Sequence, residues 1–162
     1  MLGDIRLSER NFLGRGQDLR ANLTVSQRRQ QIDISFTEPY FLDRDLAAGS
    51  DLFRSTTDFK SQSSFDETST GGTLRAGYPL TENLRHSVRY TLRYDEIDNV
   101  RSDASVFIKD EEGGRTTSEI GHTLSYDRRD VRFLPSDGYY VRLDQDLAGF
   151  GGDNKFCATR RM

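Results

Sequence analysis

The stretch Leu84-Arg85-His86-Ser87-Val88-Arg89-Tyr90-Thr91-Leu92-Arg93-Tyr94-Asp95 alternates with a period of two residues. Leu84, His86, Val88, Tyr90, Leu92 and Tyr94 fall on one side; Arg85, Ser87, Arg89, Thr91, Arg93 and Asp95 fall on the other. Successive side chains of a strand point to opposite faces, so the segment predicts a strand with one apolar wall and one charged wall. Such a density of arginine on the polar face is heavy for a soluble sandwich. A water-filled lumen behind a lipid-facing wall accounts for the same pattern.

The template recurs along the chain. Residues 3–9 set Gly3, Ile5 and Leu7 against Asp4, Arg6 and Ser8. Residues 17–26 set Leu19, Ala21, Leu23 and Val25 against Asp18, Arg20, Asn22, Thr24 and Ser26. Over 31–37, Ile32, Ile34 and Phe36 alternate with Asp33, Ser35 and Thr37. Residues 46–53 are weaker (Leu46, Ala48, Leu52), and 73–80 show Leu74, Ala76, Tyr78 and Leu80. Residues 118–126 carry Ile120, Leu124 and Tyr126 with His122 as a polar intruder. Residues 139–147 set Tyr139, Val141, Leu143 and Leu147 against Tyr140, Arg142, Asp144 and Asp146. The pattern predicts about eight strands and no helix.

The connections sort by parity. Residues 11–16, 39–45, 81–83 and 128–138 form a short, aromatic set. The other set opens with a tight turn at 28–30 and lengthens to 54–72 and 96–117, which are polar and rich in Asp, Ser and Gly. Alternate connections of a meander lie at the same end, and short turns at one rim with long loops at the other is the outer-membrane arrangement. Phe12, Tyr40, Phe41, Tyr78 and Phe133 fall at the short-turn rim, where an aromatic girdle would sit.

Composition bounds the alternatives. Of 162 residues, 34% are hydrophobic and 30% charged, and mean hydropathy is -0.73. No apolar run approaches the ~18 residues of a membrane helix, a test that barrels evade because half of each strand faces water. The formal charge of -3, with arginines interleaved among acids, argues against a nucleic-acid partner. The single cysteine, Cys157, excludes an intrachain disulfide and a cysteine-based zinc site. Trp is absent, but ten Phe and seven Tyr can furnish interfacial aromatics. No secretory signal opens the chain, so either an exported protein has lost its beginning or the protein is intracellular.

No catalytic constellation is present. There is no Gly-x-Ser-x-Gly elbow, and Gly14-Arg15-Gly16 lacks the Lys-Ser/Thr of a phosphate loop. His86 and His122 occupy apolar-face positions and read as structural or interfacial rather than as metal ligands. Asp95, Glu96, Asp98, Asp103, Asp110, Glu111 and Glu112 suit Ca²⁺ by type but not by EF-hand spacing, and read as a solvated acidic loop. Arg85, Arg89, Arg93 and Arg142, with Asp144, would line a lumen and pair with Asp18, Asp33, Asp144 and Asp146. The residues thus predict no enzyme, no metal and no cofactor.

The short turns carry more than composition. Ser8-Glu9-Arg10-Asn11-Phe12-Leu13-Gly14-Arg15-Gly16-Gln17 and Phe36-Thr37-Glu38-Pro39-Tyr40-Phe41-Leu42 resemble the first periplasmic turns of the BamA family of outer-membrane assembly factors, also called bacterial surface antigens. Tyr126-Asp127-Arg128-Arg129-Asp130 with Phe133-Leu134-Pro135-Ser136-Asp137-Gly138 is similar to a later turn of that barrel, and Gly77-Tyr78-Pro79-Leu80 to the element between them. The motif positions are Asn11, Phe12, Leu13, Gly14, Gly16, Glu38, Pro39, Tyr40, Phe41, Gly77, Pro79, Asp127, Arg129, Asp130, Phe133, Pro135 and Gly138. Their physics is readable: Pro39 cannot donate to a ladder and ends a strand, while Gly14, Gly16 and Gly138 permit positive φ.

The resemblance implies an antiparallel up-and-down transmembrane β-barrel, about eight strands making roughly half of a barrel of about sixteen. Residues 1–156 would be a partial barrel domain. Residues 157–162, which show no alternation, would be a tail outside the family pattern, left by a truncation or frameshift near Phe156. By similarity, residues 3–9 correspond to the family's second strand and 139–147 to about its ninth, so the gate strand and the POTRA repeats would lie outside this sequence. The family's Val-Arg-Gly-Phe/Tyr loop motif does not occur here. The implied activity is folding and inserting β-barrel proteins in the bacterial outer membrane. The implied partners are outer-membrane lipid, unfolded β-barrel clients and other assembly-complex subunits. The residues alone leave two alternatives open: a self-contained eight-stranded outer-membrane barrel (anchor, adhesin or small pore) and a soluble barrel with an apolar interior.

Overall fold

The alternating segments pair in chain order. In a computed structural model, which describes residues 2–58, 65–98, 100, 113–131, 136–149 and 156–161, they form β1 (Leu2–Phe12), β2 (Gln17–Ser26), β3 (Arg29–Glu38), β4 (Ala47–Asp58), β5 (Asp66–Pro79), β6 (Leu84–Asp98), β7 (Gly113–Asp127), β8 (Tyr140–Ala148) and β9 (Phe156–Arg161). The order in the sheet is β1-β2-β3-β4-β5-β6-β7-β8-β9. Every pairing is antiparallel, an all-β up-and-down meander.

Register holds the two faces apart. Ile34 lies opposite Leu52, Leu74 opposite Tyr90, Ile120 opposite Leu147 and Leu124 opposite Leu143. On the other face Ser35 meets Asp51, Thr73 meets Thr91 and Thr123 meets Asp144. A slip of one residue at any ladder would invert one strand's faces, so the pattern itself enforces the register.

Among the described residues no hydrophobic side chain is buried. Leu52 is 61% exposed and Leu74 62%, both on the apolar face. Among the described residues this sheet has no second layer and no enclosed core. An apolar wall left uncovered across successive strands calls for lipid; a soluble barrel would turn the same residues inward. Among the described residues β1 and β9 do not pair with each other, so the sheet is open rather than a closed barrel.

Three expectations are corrected. The long loops expected at 54–72 and 96–117 give up residues to strands at both ends: β4 continues to Asp58, β5 begins at Asp66, β6 reaches Asp98 and β7 begins at Gly113. Asp95, Glu96 and Asp98 therefore sit in β6 rather than in an acidic loop; Asp103, Asp110, Glu111 and Glu112 lie outside the described residues. Alternation reports only the height over which one face is apolar, whereas the ladder continues wherever backbone groups find partners. Finally, residues expected to follow no strand pattern form β9, with Ala148 opposite Phe156 and Leu143 opposite Arg161. Pairing to an edge strand needs backbone groups, not an apolar alternation.

Candidate functional site

The polar face is a connected layer of charge. Arg85, Arg89 and Arg93 project from one side of β6, and register places Arg142 and Asp144 of β8 on that same side, across Ser125 and Thr123 of β7. Arg89 reaches over β7 to pair with Asp146, with Glu119 3.9 Å away. Arg93 pairs with Asp95 at 2.8 Å, and Asp95 also accepts from the Ser69 hydroxyl at 2.7 Å. Arg142 grips Asp144 through Nε and Nη2 at 2.8 and 2.9 Å, and Thr123 donates to the same carboxylate. Asp18 pairs with Arg20, whereas Asp33 accepts from Gln31 at 2.8 Å rather than from an arginine.

Arg75 was not singled out by sequence, and it is the widest-reaching member. Its Nη2 donates to Ser35, Thr37 and Asp51 at 3.0, 2.9 and 3.1 Å, lacing β5 to β3 and β4. It lies across Gly49, where a Cβ would come within 2.6 Å of its Nε. Arg89 lies likewise across Gly121, where a Cβ would sit 2.8 Å from its Nε. Phe53, also on the polar face, covers Gly71. The readable signal was parity: a glycine beside a long polar-face side chain leaves a trough for it.

The short-turn rim is built from the motif residues. In the β1–β2 turn, Asn11 O accepts from Gly14 N at 3.0 Å and Asn11 Oδ1 from Gly16 N at 2.7 Å. Gly14 and Gly16 both have φ 71°, and Leu13 has φ 55°. Gln17 Nε2 donates to Glu38, tying this turn to the β3–β4 turn, where Pro39 ends β3 and Tyr40 and Phe41 stand exposed. Gly77 and Pro79 close β5, opposite Ser87 and Arg85. In the β7–β8 turn Arg129 binds Asp127 bidentately, both bonds 2.8 Å, with its guanidinium 5.0 Å from the Tyr140 ring centre. Asp130 accepts from Val131 N at 2.8 Å, from Ser136 N at 3.1 Å and from the Ser136 hydroxyl. The Ser136 hydroxyl, then the backbone N–H groups of the turn, hold the Asp130 carboxyl below its usual range. Gly138 adopts φ 99°, and a Cβ there would strike Arg128 O. Phe133 and Pro135 lie outside the described residues.

The apolar face carries a polar seam. Tyr78 OH lies 2.8 Å from His86 Nδ1, the His86 and His122 rings meet edge-on at 5.5 Å, and His122 Nε2 lies 2.7 Å from Gln145 Oε1. The seam runs over β5, β6, β7 and β8, and His122 Nδ1 is buried without a hydrogen-bond partner among the described residues. Sequence reading marked His122 as an intruder but passed over Gln145, whose polar side chain interrupts the Val141, Leu143, Leu147 series. Among the described residues no cluster of His, Cys, Asp or Glu could hold a metal ion.

Comparison with known proteins adds lineage to this geometry. The Omp85 superfamily domain matches residues 11–160. The chain is 29% identical over 157 residues to outer membrane protein assembly factor BamA of Neorickettsia risticii, covering 97% of this chain and 21% of that protein. It is 28% identical over 152 residues to BamA of Nitratidesulfovibrio vulgaris, covering 93% of this chain and 19% of the relative. Similarity extends to a sorting and assembly machinery component 50 homolog of Xenopus tropicalis, 26% identical over 147 residues, 90% of this chain and 31% of that one. The fold is similar to the crystal structure of BamA from Haemophilus ducreyi lacking POTRA domains 1–3, with a TM-score of 0.67 at 19% identity, covering 98% of this chain and 33% of that chain. This chain thus spans about a fifth to a third of the length of these curated relatives.

Proposed function

The chain belongs to the Omp85 superfamily, and we propose from that premise that it is a stretch of barrel wall in an assembly factor that folds and inserts β-barrel proteins. Its location is the bacterial outer membrane. The observation that carries the reading is the two-faced sheet: register keeps apolar side chains on one face and the arginine–carboxylate layer on the other, and among the described residues none covers the apolar face. In the proposed barrel, Leu84, Val88 and Leu92 face lipid, while Arg85, Arg89, Arg93, Arg142 and Asp144 face an aqueous lumen. Phe12, Tyr40, Phe41 and Tyr78 form the aromatic girdle at the short-turn rim.

The mechanism is non-covalent. An unpaired strand edge offers N–H and C=O groups at the spacing a client strand needs, and a client adds by antiparallel pairing. This wall supports such an edge through a continuous ladder, anchored on its polar face by Arg75 and Arg89. Lipid, unfolded β-barrel clients and further subunits of an assembly complex are the proposed partners. A self-contained eight-stranded barrel is not favoured, because among the described residues nine strands form and β1 does not pair with β9.

Two measurements test the reading. Single cysteines placed along β6 in the chain inserted into vesicles are expected to alternate, with Val88→Cys and Leu92→Cys shielded from a polar maleimide and Arg89→Cys and Thr91→Cys labelled. Uniform labelling would remove the wall. A chimaera in which this chain replaces the matching fifth of a complete BamA is expected to restore barrel assembly in depleted cells; a stable, inserted but inactive chimaera would remove the assembly role.

A further inference from the structure

At the foot of the apolar face, between the β1–β2 and β3–β4 turns, an open cleft of about 760 Å³ is lined by Arg15, Glu38, Tyr40, Phe41, Leu42 and Asp43. Its roof is the hydrogen bond between Gln17 and Glu38. Both residues keep the parity of the apolar strand positions, Leu19 and Leu23 on β2 and Ile34 and Phe36 on β3, so the cleft continues that face downward.

The lining combines opposite charges. Arg15 is exposed, and among the described residues its guanidinium pairs with no carboxylate. Asp43 is exposed on the opposite turn, and its carboxylate likewise has no cationic partner among the described residues. A guanidinium is the side chain best shaped to grip a phosphate, and a carboxylate is the natural acceptor for an ammonium. A cleft that holds both, unspent on each other, complements a ligand carrying a phosphate and an ammonium together.

The apolar part of the lining points to a lipid. Leu42 has φ 58° and is 73% exposed; Leu13, at the tip of the neighbouring turn, has φ 55° and is 76% exposed. A left-handed leucine is uncommon, and glycine would occupy either position with less strain. Both side chains are nonetheless exposed, and Leu42 shares the cleft lining with the exposed Tyr40 and Phe41. Aromatic and aliphatic side chains flanking a cation at the end of an apolar wall belong at the level of headgroups and first acyl carbons.

We propose that this cleft seats the headgroup of a zwitterionic glycerophospholipid of the phosphoethanolamine class. Arg15 takes the phosphate, the Asp43 and Glu38 carboxylates face the ammonium, and Tyr40 and Leu42 lie against the glycerol and the first acyl carbons. The site fixes the two turns nearest β1 against the leaflet, and rests on the reading of the chain as an outer-membrane wall.

The test is native mass spectrometry of the full chain refolded into mixed micelles, offered phosphatidylethanolamine and phosphatidylglycerol in competition. Wild type is expected to retain phosphatidylethanolamine over phosphatidylglycerol by about tenfold, the effect of one charge-assisted contact. Asp43→Asn, which keeps a residue tolerant of its φ of 56°, should erase that preference and still retain phosphatidylglycerol. Arg15→Gln should lower retention of both lipids. Leu42→Gly accepts the turn conformation, so the chain folds while lipid retention falls. Equal retention of the two lipids by wild type, unchanged retention by Arg15→Gln, or binding of soluble phosphoethanolamine or inorganic phosphate as strong as that of the lipid would overturn the site. Insertion into vesicles, read as protease protection, separates the two levels: an inserted chain without the preference overturns the site alone, and a chain that never inserts overturns the wall and the site together.

Discussion

Arg75 and Arg89 stand directly opposite each other across the β5–β6 ladder and reach away from one another, Arg75 toward Asp51 on β4 and Arg89 toward Asp146 on β8. Like charges directly opposite in a sheet repel. Here each guanidinium escapes over a glycine, Gly49 on one side and Gly121 on the other, and spends its charge on a distant carboxylate. The pair thereby braces the strands from β3 to β8 from a single point.

Filling either trough should break that brace. Gly121→Val is expected to destabilise the folded chain by about 1–3 kcal/mol, because added atoms in a filled space displace the side chains that occupy it. In an Arg89→Ala background the same substitution should cost less, since the two sites share one space and are non-additive. Urea midpoints of the chain in detergent micelles measure both. Equal costs in the two backgrounds would show that Gly121 matters for its backbone and not for Arg89.

The turns should respond to side chains in opposite ways. Leu13→Gly relieves a left-handed leucine and is expected to leave stability unchanged or raise it by up to about 1 kcal/mol. Gly138→Ala adds a Cβ aimed at Arg128 O in a backbone of φ 99° and is expected to cost about 2–4 kcal/mol. Heat-dependent migration on gels, calibrated against denaturant midpoints, distinguishes them.

The β7–β8 turn should loosen in acid. The folded Asp130 carboxyl is held below its ordinary value, chiefly by the Ser136 hydroxyl. The unfolded turn therefore takes up a proton at a pH where the folded turn does not, and stability rises with pH through that window. The contribution is complete above the ordinary carboxylate value near ~4 and is lost as pH falls through the folded one. Hydrogen exchange should show Val131 and Ser136 amides equally protected at neutral and mildly acidic pH, then less protected in stronger acid. Asp130→Asn should flatten the profile; a profile that keeps its shape would assign the change to another group.

The polar seam on the apolar face gives an asymmetric prediction. His122→Leu leaves Gln145 without its partner and is expected to cost about 1–3 kcal/mol, whereas His122→Leu with Gln145→Leu should be close to neutral in lipid. Denaturant titrations of the two variants in vesicles decide it. A double variant as damaged as the single one would show that the seam holds β7 to β8 by more than mutual satisfaction.

Much of this architecture was legible because a lipid-spanning strand writes its faces into alternate residues. β2 was bounded to the residue and β8 to within one, since their apolar series fill the strand, whereas β6 runs past its series to Asp98. β4, β5 and β7 ran long because Thr56, Ser69, Thr70 and Thr116 are polar on both faces, and beyond the apolar height periodicity is silent. β9 escaped for a related reason: its pairing is with the β8 backbone. The motif residues of the short turns were found by resemblance, and hydrogen bonds give a physical reason for Asn11, Glu38, Asp127, Arg129 and Asp130. Gly14 and Gly16 carry the turn, and Asp127 and Asp130 stake down the next. Arg75 and Gln145 were hidden in plain alternation, because a search for apolar residues does not ask what stands among them.

The count of strands carries a last consequence. In an up-and-down meander each strand reverses the previous one, so β1 and β9 head in the same direction. Their edges cannot zip to each other by the antiparallel pattern that joins every other pair in the sheet. Any seam that closes this wall antiparallel on both sides must insert an odd number of strands between β9 and β1. The two exposed edges are thus distinct docking polarities rather than two halves of one joint.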